Sequence, residues 1–123
     1  MSSNELIKEK IEESFEETIA WRRYLHENLE VSDAEYKTAS YLKRECEKLG
    51  LIVEDAANTT GFTALLDTGR AGKVLGIRTD IDALPIAEST SNLKNKKSVV
   101  SKVDGVSHAC GHDSHMATLL TSA

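Results

Sequence analysis

The sequence predicts a layered α/β fold. Three observations carry that expectation: apolar residues at helical spacing in two early segments, short β-rich runs after them, and a return to helical spacing near the C-terminal end. The chain has 123 residues, with 20 acidic and 15 basic side chains and a net charge of -5. That length supports one domain with a modest core. No basic block stands out, so nucleic acid is not an expected partner. The opening "MSSNELIKEKIEESFEE" has no apolar run. It reads as neither a secretion signal nor a membrane span, and no membrane partner is expected. Two cysteines do not make a disulfide framework. Reduced thiols in a cytoplasmic setting are the expectation.

Ser2 with Glu5 spells a capping box that opens the first helix. Ile7, Ile11, Phe15 and Ile19 recur every four residues among glutamates and lysines. This spacing predicts a helix with one buried stripe, running to about Glu27. His26, near its end, reads as a cap or surface residue. Ser32 and Glu35 form a second capping box. Ala39, Leu42, Cys46 and Leu49 follow at helical spacing, and Gly50 suits the stop. Cys46 lies on the apolar stripe, which makes it a small core residue rather than a reactive thiol.

Leu51 to Asp55 ("LIVED"), Gly61 to Thr68 ("GFTALLDT") and Lys73 to Asp80 ("KVLGIRTD") predict three strands. Gly69 to Gly72 would join the last two as a hairpin. Pro85 marks irregular chain after the third strand. Ser89 to Lys102 is polar and lysine-rich, a surface loop or an edge strand. After Gly111, Met116, Leu119 and Leu120 keep a helical spacing. That helix has room for about three turns, so the chain is expected to be part of something longer.

Chemistry gathers in two places. In "KVLGIRTDID" the apolar run ends and Arg78, Asp80 and Asp82 follow. Ligand and catalytic groups of α/β sheets collect outside the C-terminal ends of strands. Asp80 and Asp82 alternate with Ile81, so in extended chain they point to one side. Two readings stand: turn carboxylates, one capping a backbone amide, or catalytic groups. The second place is "GVSHACGHDSH", Gly105 to His115, which holds His108, Cys110, His112 and His115. Cys110 and His112, two apart, can face one ion in extended chain. A thiolate and a neutral imidazole suit zinc or another first-row metal. Asp113 is a candidate cap for the next helix, whose positive end beside the sulfur would favour the thiolate. His108 or His115 would be a further ligand or hold a ligand in place. The other reading is a surface loop with incidental histidines. Two ligands do not close a zinc site, which needs about four. Asp80 is a candidate third; the rest would come from water, a partner chain or sequence outside this chain.

These residues resemble a known family: the metal-dependent amidohydrolases that include hippurate hydrolase, N-acyl-amino-acid amidohydrolase and the plant auxin-conjugate hydrolases. "RRYLHENLEVSDAEYKTASYL" (Arg22 to Leu42) is similar to the family's opening helix-turn-helix. "IRTDIDALPI" (Ile77 to Ile86) is similar to its aspartate-bearing strand end, and "GVSHACGHDSHMATLL" (Gly105 to Leu120) to its metal motif. The resemblance implies the N-terminal part of a layered αβα zinc-peptidase-like catalytic domain over residues 1–123, without the remainder and without a dimerisation domain. It implies Cys110 and His112 as metal ligands, Asp82 as the aspartate that orients the site, and Asp80 at a position where relatives have a histidine ligand. It implies zinc or manganese, one ion or two, and a small N-acyl amino acid or peptide as substrate. Leu29 departs from a usual proline and Asp33 from a common aromatic. The largest departure is length: family members are about three times longer, beyond the usual single-domain size, and supply a glutamate general base and further Glu and His ligands. The chain is therefore expected to be inactive alone. The alternatives are a non-catalytic metal-binding fragment, or an interaction fragment that self-associates through an exposed edge.

Overall fold

The computed structural model describes all 123 residues. Helix α1 spans Ser3–Glu27, α2 spans Tyr36–Lys48 and α3 spans His112–Ser122; the strands are β1 (Ile52–Asp55), β2 (Phe62–Leu65), β3 (Ser91–Asn92) and β4 (Asn95–Lys96). Two helices, four short strands in two small sheets and a closing helix follow one another along the chain, compatible with part of an α/β fold. None of the helices is long and apolar enough to cross a membrane.

The α1 capping box forms as its sequence predicts: Ser2 Oγ accepts from the Glu5 backbone N–H, and the Glu5 carboxylate takes the Ser2 N–H at 2.7 Å. Helix α2 starts differently. The predicted Ser32–Glu35 box is absent; Glu35 occupies the cap position and makes no side-chain cap bond. Glu30, from the preceding segment, does the work instead. Its carboxylate accepts from the Thr38 backbone N–H at 2.6 Å and from the Thr38 hydroxyl at 2.8 Å. A carboxylate at a helix N-terminus satisfies an orphan donor and meets the positive end of the dipole. Glu35 turns away to accept from Thr60 Oγ1 at 2.8 Å. The stop at Gly50 follows the prediction, with φ of 86° in the left-handed region that glycine enters without strain.

Strands β1 and β2 pair antiparallel in the register Ile52↔Leu65 to Asp55↔Phe62. The core lies where this pair meets the helices: Trp21 and Leu25 of α1, Leu42 and Cys46 of α2, and Met116, Ala117 and Leu120 of α3, with Val53, Phe62 and Ala64 against them. Helix α3 runs antiparallel along α1. Its start meets the end of α1 through Asp113, and near its end Thr121 Oγ1 lies 2.6 Å from Thr18 Oγ1. Cys46 is buried as predicted, and burial pushes its thiol pKa up, which keeps it protonated and inert.

Three further expectations fail. The predicted strand Lys73 to Asp80 has no ladder partner, and its Val74 and Leu75 are 89% and 83% exposed. A strand exists only through a neighbour, and no strand of this chain runs beside it. The predicted Gly69 to Gly72 hairpin is accordingly absent. Past this segment the chain is tied in by single bridges, Val31↔Ala83 parallel and Leu84↔Ser107 antiparallel. The third failure is the α1 stripe: Ile7, Ile11 and Phe15 are 56%, 54% and 56% exposed. The polar segment after Pro85 holds the short β3–β4 hairpin, an alternative the sequence left open.

Candidate metal centre

His112 is the first residue of α3. Gly111 before it takes φ of 77°, and open space surrounds the position a Cβ would fill. The left-handed backbone, not crowding, is therefore what favours glycine there. This kink means Cys110 and His112 are not in extended chain, contrary to the sequence expectation. Asp113 is not the cap either: Gly111 is, and Asp113 is buried one residue inside the helix.

His112 Nδ1 lies 2.9 Å from the Asp82 carbonyl oxygen and 3.0 Å from Asp82 Oδ1. Both partners are acceptors, so Nδ1 donates and a neutral ring keeps its lone pair on Nε2. Nε2 faces Asp80 Oδ2 at 3.8 Å, beyond hydrogen-bond range. Asp80 and Asp82 thus do share a side, and a single imidazole stands between them. Arg78 Nη2 donates to Asp80 Oδ1 at 2.7 Å. Cys110 is exposed and free in the turn before Gly111.

These residues fit part of a metal site. An imidazole anchored through one nitrogen by a carboxylate, with its other nitrogen unused, is the arrangement a metal-binding histidine adopts. The soft thiol of Cys110 and the carboxylate of Asp80 are suitable donors nearby in sequence. Yet no group of three or more His, Cys, Asp or Glu side chains stands close enough to hold an ion. The chain's own donors do not close a coordination sphere. His115 is exposed, its ring centroid 5.9 Å from that of His112.

A buried polar network lies beside this centre, and the sequence reading missed it. His26 is neither a cap nor a surface residue but is only 6% exposed. Its Nδ1 meets Asp113 Oδ2 at 2.7 Å and its Nε2 meets Glu88 Oε1 at 2.8 Å. The ring satisfies both carboxylates only when both nitrogens carry hydrogen. Arg22 Nε lies 3.0 Å from the same Asp113 oxygen. Burial by itself would raise the Glu88 pKa, but the Ser101 backbone N–H, His26 and Lys97 outweigh it and hold the carboxyl at about 2. The network ties the last turn of α1, the first turn of α3 and the 88–101 segment together. The only sequence signal was Arg22 and His26 four apart on one helix face; their acidic partners are 62 to 91 positions away. His108 is also buried, at 7% exposure, and neither of its ring nitrogens has a partner. Burial, the largest influence, lowers its pKa and favours the neutral ring.

Residues 76–123 match the model of Peptidase family M20/M25/M40. The chain is 40% identical over 121 residues to an N-acyl-L-amino acid amidohydrolase of Geobacillus stearothermophilus, covering 98% of this chain and 31% of that protein. Among solved structures, a protein of methicillin-resistant Staphylococcus aureus described as an aminohydrolase superposes with a TM-score of 0.84 at 38% identity, over 95% of this chain and 30% of that one. The Bacillus subtilis YXEP protein, a dinuclear metal binding peptidase from the M20 family, superposes with a TM-score of 0.73 at 42% identity, over 85% of this chain and 28% of that one. The chain thus spans about a third or less of the length of each. Residues 76–123 thus carry the pattern of Peptidase family M20/M25/M40, and nearly the whole chain is similar to about a third or less of relatives described as an amidohydrolase, an aminohydrolase and a dinuclear metal binding peptidase.

Proposed function

We propose that this chain contributes the metal-facing part of an enzyme that hydrolyses the amide bond between an acyl group and an amino acid. The observation that carries the reading is the His112 ring, held through Nδ1 by Asp82 with Nε2 turned toward Asp80. His112 and Cys110 would hold the ion, zinc or manganese, singly or as a pair. The chemistry such an ion supplies when bound is Lewis acidity toward an amide carbonyl and toward water. Asp82 is a positioning residue that fixes the His112 tautomer and ring direction. Asp80, steadied by Arg78, sets a carboxylate beside Nε2. The printed activity of the Geobacillus relative supports the substrate class, an N-acyl amino acid. The two free thiols support a reducing, cytoplasmic setting.

Calorimetric titration with zinc chloride, and separately manganese chloride, tests this. The unmodified chain should bind one of them saturably, Asp82→Asn should weaken binding about 10- to 100-fold, and His112→Ala should abolish it with the far-ultraviolet circular dichroism unchanged. Undiminished binding by His112→Ala would overturn the proposal. Because the chain's own donors do not complete a site, the 123 residues alone should release no amino acid from an N-acetyl amino acid. Metal-dependent turnover by the purified chain would contradict that.

A second reading, an interaction fragment that self-associates, is favoured by the exposed Ile7, Ile11 and Phe15 and the unpaired segment carrying Val74 and Leu75. Sedimentation equilibrium decides it: a single species of monomer mass across the concentration range excludes this reading.

A further inference from the structure

We propose that the cavity between the last turns of α1, the 86–99 segment and Ser107–His108 binds a small oxoanion, with a carboxylate as the fitting class. The cavity is about 540 Å³, and its wall includes Arg22, His26, Glu88, Lys97, Ser107 and His108. None of Asp80, Asp82, Cys110 or His112 lines it.

The hydrogen-bond accounting points to an anion. Both oxygens of Glu88 are already used: Oε1 by His26 at 2.8 Å and Lys97 at 3.0 Å, Oε2 by the Ser101 N–H at 2.6 Å. Lys97 has three donors and spends one of them here. Arg22 Nε is ion-paired with Asp113 Oδ2 at 3.0 Å. Its Nη2 is 3.3 Å from His26 Nδ1, but that nitrogen donates to Asp113 at 2.7 Å and has no lone pair to offer. Nη2 thus has this one long contact, and Nη1 has no hydrogen-bond partner. Arg22 and Lys97 bring two cationic side chains with several donors each to this wall. The wall has donors to spare, while each oxygen of Glu88 already has a partner.

His108 supplies an independent sign. Its ring is buried at the cavity wall and both nitrogens lack a partner. A buried polar group without a partner is costly. A bound oxoanion would take the N–H of the neutral ring. A carboxylate offers two oxygens, enough to reach His108 and the Arg22 or Lys97 donors together.

The test uses the 123-residue chain with labelled histidine rings, at fixed pH and constant ionic strength, in excess chelator. Sodium acetate and N-acetylglycine are added in separate titrations, and the His108 ring resonances are followed. A saturable shift is expected, half complete on the order of 1–10 mM. In Lys97→Gln the half-saturation concentration should rise at least about fivefold, with the His112 resonances unmoved, while His112→Ala should bind as the unmodified chain does. Saturation by both probes shows that the carboxylate group itself is recognised; by acetate alone, that the site takes a free small anion; by N-acetylglycine alone, that it takes the carboxylate of an acylated amino acid. No shift or a non-saturating shift with both, or saturation that Lys97→Gln leaves unchanged, overturns the proposal. The chelator and the His112→Ala arm keep this result separate from any failure of the metal reading.

Discussion

Within α1, Ile7 and Leu25 stand five helical turns apart and point the same way. Leu25 has no exposed surface, whereas Ile7 is 56% exposed. The two halves of one helix share a rhythm and a face and meet opposite environments. The reason is the reach of α3. It lies along α1 from the Asp113–His26 contact to the Thr121–Thr18 contact. Beyond Thr18 toward the N-terminus, nothing in this chain lies on the stripe. The covered half also buries charge, through Arg22, His26 and their carboxylate partners. The uncovered half keeps its ion pairs in water, as with Lys10 and Glu13 at 2.7 Å. Spacing specifies a helix and a face; a second element decides whether that face becomes core.

The sharpest way to break this comparison is to remove apolar volume from each half. Leu25→Ala should cost about 2–5 kcal/mol through lost burial and a residual cavity. Ile11→Ala should stay within about 0.5 kcal/mol, because its site is already wet. Urea unfolding of both variants measures the contrast, and equal losses would show that the stripe is covered along its whole length.

Next in size is the buried charge. Glu88 is held at about 2, well below an unperturbed carboxyl. A depressed carboxylate pKa stabilises the fold above its unfolded value and loses that contribution as pH falls through the folded value. The contribution should therefore be complete above pH ~4.5 and disappear toward pH ~2. Glu88→Gln should lose on the order of 3 kcal/mol at neutral pH and flatten the acid limb of the stability curve. Guanidinium melts at neutral and acid pH report both effects. An unchanged acid limb would mean that the His26 cluster does not carry the linkage.

Smaller again is the cap at α2. Glu30→Ala should cost about 1 kcal/mol, the usual value of a helix-capping acceptor. Ser32→Ala should be close to neutral, since Ser32 caps nothing. If the two losses were reversed, the predicted capping box would form in solution after all. Thiol labelling sharpens the same contrast between covered and open sites: Cys110 should react at once and Cys46 only on unfolding, because one is exposed and the other buried with a raised pKa.

How much was legible follows from where the information lay. The Ser2–Glu5 box, the end of α1 at Glu27, the stop at Gly50, the pairing-ready runs at β1 and β2 and the start of α3 after Gly111 are local features. Each rests on residues within a turn or two of one another. Asp80 and Asp82 facing one side was legible too, from alternation alone. The Ser32 box failed because α2 begins later, at Tyr36, where Glu30 takes the Thr38 backbone amide. The strand at 73–80 failed because its β-rich composition does not supply a partner. His26 read as a surface residue because its partners, Glu88 and Asp113, are far along the chain.

What the sequence by itself determined is therefore the local layer: which segments coil into helices, where they stop, which faces are apolar, and which residues have the chemistry to bind a metal. Tertiary structure alone decided which of those faces is dry, which carboxylate meets which histidine, and which side of the His112 ring is left free. Those outcomes depend on contacts between groups 30 to 103 positions apart. Such contacts form only when burial and hydrogen bonding repay the entropy of bringing distant chain together.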